Sequence, residues 1–219
     1  MMLRSIRSIL LLTVFCLLAT TATARVWHVP AEAPTVQAGI DSALVGDEVV
    51  LAVGSYAVQD LAMKPGIALR GAAEGSPDLV TLDGWFVGRI MDFQAGEDLS
   101  PTLIASLTYA NADSGALRCT GSGTLEVADC VFAGNRAESA GALLIEGHSA
   151  GSIHVHDCVF RDNSAAGHGG AVGISWSGGI LFERCLFVRN HAGQYGAVGY
   201  SGYLTDGGAT YDRCTMVQN

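Results

Sequence analysis

Two histidines and three carboxylates are the residues of this chain best placed for chemistry. His154 and His156 are two apart, and in an extended strand such residues share one face. Glu126 precedes His154 by 28 residues, Glu183 follows His156 by 27, and Asp212 follows Glu183 by 29. If the chain repeats at that interval, Glu126 lies one coil from His154 and Glu183 one coil from His156. An imidazole beside a carboxylate can pass protons to and from a glycan, or hold a metal ion. His154, His156 and Glu183 are therefore the catalytic candidates. Glu126, His154, His156, Glu183 and Asp212 are the candidate binding set. The same residues also suit a solvated sheet face, since strand alternation puts polar side chains outside, and that plainer reading is preferred.

The interval is written into the chain. Asp129-Cys130-Val131-Phe132-Ala133-Gly134-Asn135 returns as Asp157-Cys158-Val159-Phe160-Arg161-Asp162-Asn163, then at Arg184–Asn190 and Arg213–Asn219. The cysteines lie 28, 27 and 29 residues apart, a period that marks a repeat architecture. Five residues before each Cys stands Leu125, Ile153, Ile180 or Ala209, and three before it Val127, Val155, Phe182 or Tyr211. After each Asn comes an apolar run: Gly141-Ala142-Leu143 with Ile145, Gly170-Ala171-Val172 with Ile174, Gly196-Ala197-Val198 with Tyr200. Three short alternating runs per repeat, parted by Gly, Asn and Asp, predict three strands and three corners.

The fold class is thus all-β, a right-handed parallel β-helix with coils roughly 4.7–4.9 Å apart. Equivalent side chains then form ladders. Phe132, Phe160, Phe187 and Met216 are expected inside. Asn135, Asn163, Asn190 and Asn219 are expected at a corner, where a short amide tolerates left-handed backbone and bonds the corner. Cys130, Cys158, Cys185 and Cys214 share an inward column, and a buried thiol ladder is preferred there to disulfide bridges. Upstream, Ser106–Asn111 reads as an earlier copy with Ser106 in place of Cys. Ser114–Cys119 puts Cys119 in the column of Ile145 and Ile174. Regular coils start at about residue 101.

The start of the chain reads differently. Arg4 and Arg7, an apolar run from Ile9 to Ala19, and Ala22-Thr23-Ala24 form an export signal over residues 1–24. Phe15 is too bulky for a lipid-attachment site at Cys16. Cleavage removes two arginines and no acid, so 12 basic residues become 10 against 21 acidic ones, a formal charge of −11. That surface repels phosphates, which excludes nucleic acid as a partner. No segment of the mature chain has the length and apolarity of a membrane span. Residues 25–219 form one solenoid domain, with Thr35 as N-cap and Gly46 as stop of a capping helix over about 35–44. Val36, Ile40, Ala43 and Leu44 would face the coil. Asn219 falls mid-coil, so the chain is expected to continue into further coils or a C-terminal module.

Thr35-Val36-Gln37-Ala38-Gly39-Ile40-Asp41, Gly46–Leu51, Gly54-Ser55-Tyr56, Ile67–Gly71 and Val80–Gly84 resemble the opening of secreted β-helix proteins of the pectin-lyase-like superfamily. The later half is similar to the repeats of polymorphic outer membrane proteins, with their Gly-Gly-Ala-aliphatic and Phe-x-x-Asn tetrads. Here these are Gly169-Gly170-Ala171-Val172, looser copies at 114–117, 140–143 and 195–198, and Phe132–Asn135, Phe160–Asn163 and Phe187–Asn190. The resemblance implies a secreted or cell-surface scaffold of adhesin type, meeting an extracellular glycan or a host or cell-surface protein. The alternative it implies is a polysaccharide lyase or glycoside hydrolase, with calcium as the cofactor of the lyase. Arg161 would be the base of such a lyase, but several outward Asp on adjacent coils are missing and no Asp-Asp pair occurs. Asp129 and Asp157 are expected to bond their own backbone. His168, His191 and Arg189 lie at corners, and Trp176, Tyr195 and Tyr203 could stack sugars. No metal site is expected, since no C-x-x-C occurs.

Overall fold

The computed structural model describes residues 23–95, 100–147, 151–175, 179–202 and 208–219. The segment read as an export signal therefore lies outside the described residues, apart from Thr23 and Ala24, as do Trp176 and Tyr203. The rest is a parallel β-helix. Its first sheet has eight strands, from Val26–Val29 through Gly123–Ala128, Gly151–His156 and Ile180–Glu183 to Ala209–Asp212. The second has seven, including Val131–Ala133, Val159–Arg161 and Leu186–Val188. The third has six, ending in Leu143–Glu146, Val172–Ser175 and Gly199–Gly202. Each complete coil contributes one strand to each of these sheets and pairs in register with the next. The coils begin at Val26, well before residue 101.

The core is a set of columns. Tyr109, Phe132, Phe160 and Phe187 stack face on at 4.9, 4.8 and 4.8 Å, the spacing of adjacent parallel strands. Phe182 and Tyr211 continue the packing from the first sheet at 4.8 Å. Met216 is in register with Phe187 but is 49% exposed, because no described coil covers it. Cys130, Cys158 and Cys185 are buried and Cys214 partly so, and all four, with Cys119, are free thiols. Their sulfurs donate to carbonyls of their own and the preceding coil, as Cys158 does to His156 at 3.2 Å and Val127 at 3.5 Å.

The asparagine column does more than turn a corner. Asn163 Nδ2 donates to the Phe132 carbonyl at 2.9 Å and to Asn190 Oδ1 at 3.0 Å. Its Oδ1 accepts from the backbone N–H of Asn135 at 3.1 Å and from Asn135 Nδ2 at 3.0 Å. Asn135 and Asn190 repeat the pattern. The left-handed residue is not the asparagine but its predecessor: Gly134, Asp162, Arg189 and Gln218 have φ of 65°, 57°, 51° and 54°. The amide stays extended and threads inward to backbone groups that the corner leaves unpaired.

Two alignments shift by one residue. Thr108 pairs with Val131 and Tyr109 with Phe132, so Leu107, not Ser106, occupies the Cys column, and Ser106 stands at the left-handed corner of Asp129. The aromatic stack decides this, because a one-residue slip would turn Tyr109 out of the core. Likewise Val172 pairs with Gly199, Gly173 with Tyr200 and Ile174 with Ser201. Tyr200 therefore faces outward rather than following Ile174 inward. The tetrad copy is Gly196–Gly199, with Gly196 at φ 70° opposite Gly169 at φ 69°. Gly170 beside it has no room for a side chain: a Cβ would sit 2.4 Å from the Ala197 carbonyl oxygen. One glycine turns the corner and the next lets the coils touch.

The helix Val36–Ser42 closes the first coil, with Thr35 Oγ1 accepting from Ala38 N at 3.1 Å. It ends at Ser42, before Gly46, and Leu44 is 70% exposed. Gln37 pairs with the edge strand Leu61–Met63 through both of its amide atoms, at 2.9 and 3.3 Å from Ala62. The only lysine, Lys64, donates to the carbonyls of Asp41 and Ala43 at the helix end, where a cation is favourable. The edge is thus blunted.

Replacing Asn163 by Ala strands the Asn135 N–H and the Phe132 carbonyl in the core. At about 1–3 kcal/mol for each unsatisfied group, the loss is about 2–6 kcal/mol by chemical denaturation. Asn219→Ala, on an exposed residue, costs about 1 kcal/mol.

Candidate functional site

The register of the first sheet assembles the candidate residues. Glu126 pairs with His154, His156 with Glu183, and Glu183 with Asp212, all on the outer face. The hydrogen bonds run diagonally across this grid. His154 Nε2 meets Glu183 Oε2 at 3.1 Å, and His156 Nε2 meets Glu126 Oε1 at 2.8 Å. The two imidazoles are 4.6 Å apart, tilted by 37°.

Arginines that sequence reasoning passed over complete the network. Arg184 grips Asp157 with two bonds of 2.7 Å and also pairs with Glu183. Arg213 pairs with Glu183 and donates to Asp212 at 3.0 Å. Asp157 does not bond its own backbone. It sits at φ 54°, and its carboxylate is shared between Arg184 and His156 Nδ1, the latter at 2.8 Å. Arg189 makes the same two-bond grip on Asp162 one coil below, at 2.7 and 2.9 Å. Arg161 lies 3.7 Å from the same Asp162, a charged pair rather than a base. The signal for both grips was in the chain: Asp157 with Arg184 and Asp162 with Arg189 are opposite charges 27 residues apart in one column.

This pairing sets the protonation of the site. Burial works against a charged His156 ring, but its hydrogen bonds to Asp157 and Glu126 outweigh that, and its pKa is raised above the ordinary imidazole value. Both ring nitrogens face carboxylate oxygens, so the ring donates from both as imidazolium. Arg184, and then His156, hold Asp157 well below the usual carboxylate range. Arg189 likewise lowers the pKa of Asp162. Burial pushes the Cys119 thiol up, so that sulfur stays protonated.

Chemically the face is a network of hydrogen bonds and ion pairs. His156 has no free nitrogen for a substrate, and Glu183 spends its oxygens on His154, Arg184 and Arg213. Among the described residues no three His, Cys, Asp or Glu converge as metal ligands do. Of the corner residues, His191 is exposed, while His168 stacks on Tyr195 at 5.4 Å and on Tyr200 at 4.4 Å. Among the described residues no helix is long and apolar enough to cross a membrane.

Residues 157–175 match the Chlamydia polymorphic membrane protein repeat. The segment holds Phe160–Asn163 and Gly169–Val172, the two tetrads whose asparagine and glycines carry the corner. The chain is a parallel β-helix repeat protein with coils similar to that repeat. No curated protein matches it.

The cluster makes stability depend on pH with a definite sign. His156 binds its proton more tightly when folded, so its contribution is complete below about pH 6.5 and drains away as pH rises through the higher folded value. Asp157 acts oppositely, contributing above about pH 3.9 and losing that as pH falls through its depressed value. The urea midpoint should fall between pH 6 and 8 by an amount equivalent to no more than about 1 kcal/mol for these part-exposed pairs. His156→Gln should flatten that slope.

Proposed function

We propose that this protein is an exported, cell-surface β-helix scaffold that presents its outer faces and corners to glycan or protein partners and catalyses no reaction. The observation that carries this reading is the network of hydrogen bonds and ion pairs on the first sheet. Glu126, His154, His156 and Glu183 are each already bonded to a side chain on an adjacent coil, which rigidifies the face. The likeness to a polymorphic membrane protein repeat supports display at an outer membrane, and the acidic charge suits an exposed, soluble surface.

One loop fits a presenting role. Trp85, Phe86 and Val87 are 68, 48 and 59% exposed. Trp85 and Phe86 stand at φ 51° and 56°, a conformation that costs an L-residue about 1–2 kcal/mol. Asp83 holds the loop by accepting from Trp85 N at 2.9 Å and from Asn111 Nδ2 at 3.1 Å, and Arg136 lies 5.0 Å over the Phe86 ring. Strain that displays two aromatic rings to solvent is retained where those rings have work to do.

Three measurements test the reading. An epitope tag on the full-length protein should be reached by antibody on intact cells; labelling only after permeabilisation would sink surface display. Incubation with a panel of acidic and neutral polysaccharides should give no new reducing ends and no unsaturated products. Turnover that disappears in Glu183→Gln or His154→Ala, with the fold intact, would establish an enzyme instead. Trp85→Gly should raise stability by about 1 kcal/mol by relieving the left-handed strain, while lowering attachment to partner surfaces.

A further inference from the structure

The outer face of the third sheet holds a cleft that no residue of the first sheet's network lines. Outward positions on its last three coils run Leu144, Gly173, Tyr200 in one column and Glu146, Ser175, Gly202 in the next. Gly173 leaves a gap between two large side chains. A Cβ there would lie 2.8 Å from Ala140 Cβ, so the corner of the preceding coil closes the gap from one side. The result is a recess of about 200 Å³. Leu144 and the Tyr200 ring wall it, Ser139, His168 and Glu146 bring polar groups to it, and Gly173 forms its floor.

Two polar groups in this recess lack hydrogen-bond partners among the described residues. His168 Nδ1 is buried and makes no hydrogen bond among the described residues, although the ring is fixed by its stacking on Tyr195 and Tyr200. A buried polar nitrogen without a partner is costly unless something bonds it. Among the described residues Glu146 makes no hydrogen bond or ion pair, and the charge that acts on it is that of Arg89.

We propose that this recess binds one neutral sugar unit of a glycan. Its volume is below the roughly 300–1,000 Å³ of sites that enclose drug-sized ligands, which suits a single ring. The apolar face of a pyranose can lie against Leu144 and the exposed part of the Tyr200 ring, which is 38% exposed and has one face covered by His168. Sugar hydroxyls both donate and accept, so one satisfies His168 Nδ1 in either tautomer while others donate to the acceptor-only Glu146. An acidic sugar would meet Glu146 and the formal charge of −9 with like charge. A cationic amine would satisfy Glu146 but offers no acceptor to His168 in the tautomer that carries its hydrogen on Nδ1. The assignment is independent of surface display, since it concerns binding by the purified protein.

The test uses the full-length protein with methyl glycosides of glucose, galactose, mannose and N-acetylglucosamine, beside galacturonate and choline, followed by saturation-transfer NMR and calorimetry. At least one neutral glycoside should bind with Kd of about 1 mM. Glu146→Gln and Tyr200→Ala, both on the outer face, should weaken it tenfold or more with an unchanged thermal transition, and Tyr200→Phe should keep it. Failure of every neutral glycoside to saturate would overturn the assignment. So would undiminished binding in both variants, or a preference for choline or galacturonate over all four.

Discussion

The structure depends on a carboxamide meeting the next coil at the spacing of parallel strands. Where the chain leaves the second sheet, the strand ladder breaks and backbone groups turn inward, away from water. An unsatisfied buried group there costs about 1–3 kcal/mol, and the cost recurs on every coil. Asn removes it with one side chain, because its amide offers two donors and a two-pair acceptor on a short stem. It donates to a carbonyl of the preceding coil and to the amide of the following one, and accepts a backbone N–H. Glutamine is too long for this, and aspartate would bury a charge. Ala112 occupies the same column where the ladder begins, and there the Asn135 oxygen accepts the Ala112 N–H from above.

The same corner explains why charge gathers outside. The left-handed turn falls on the residue before each Asn, which takes φ near 50–65° and, in Asp162, Arg189 and Gln218, is exposed to solvent. With no core contact to satisfy, that column is free to hold charge: Asp162 under Arg189 on one corner, Asp157 under Arg184 on the other. Coils stacked this closely bring like charges together as readily as opposite ones, and like charges directly opposite destabilise a sheet. The two acid–base steps, Asp157 to Arg184 and Asp162 to Arg189, are thus part of what keeps a chain this acidic stacked.

The repeat made most of this legible. Its period, the three alternating runs and the Phe and Asn tetrads point to a parallel β-helix without any structure, and the columns of Glu126, His154, His156 and Glu183 follow from it. What periodicity leaves open is the register of imperfect copies. Ser106–Asn111 and Tyr195–Tyr200 both accept two alignments one residue apart by composition, and only the packing chooses. The ladder asparagines held the clue to the second: Asn163 to Val172 and Asn190 to Gly199 are the same nine-residue step. Diagonal pairing was also hidden, because register sets which residues are level, whereas long side chains choose partners by charge and reach.

That one-residue shift matters for function more than for the fold. With Tyr200 inward, the third sheet would show an outer face of Arg118, Leu144, Gly173 and a small residue, with nothing to shape a recess. With Tyr200 outward, Gly173 becomes a gap between Leu144 and an aromatic ring, and His168 gains the surface on which it stacks. Inside the solenoid every coil must repeat the last, so the inner columns hold little specific information. Outside, each position is constrained only by its neighbours up and down the column, and a single glycine between two large side chains is enough to make a concave site. A β-helix separates the two demands: the interior asparagines and aromatics set the spacing, and departures from repetition on the outer face are where recognition can be built.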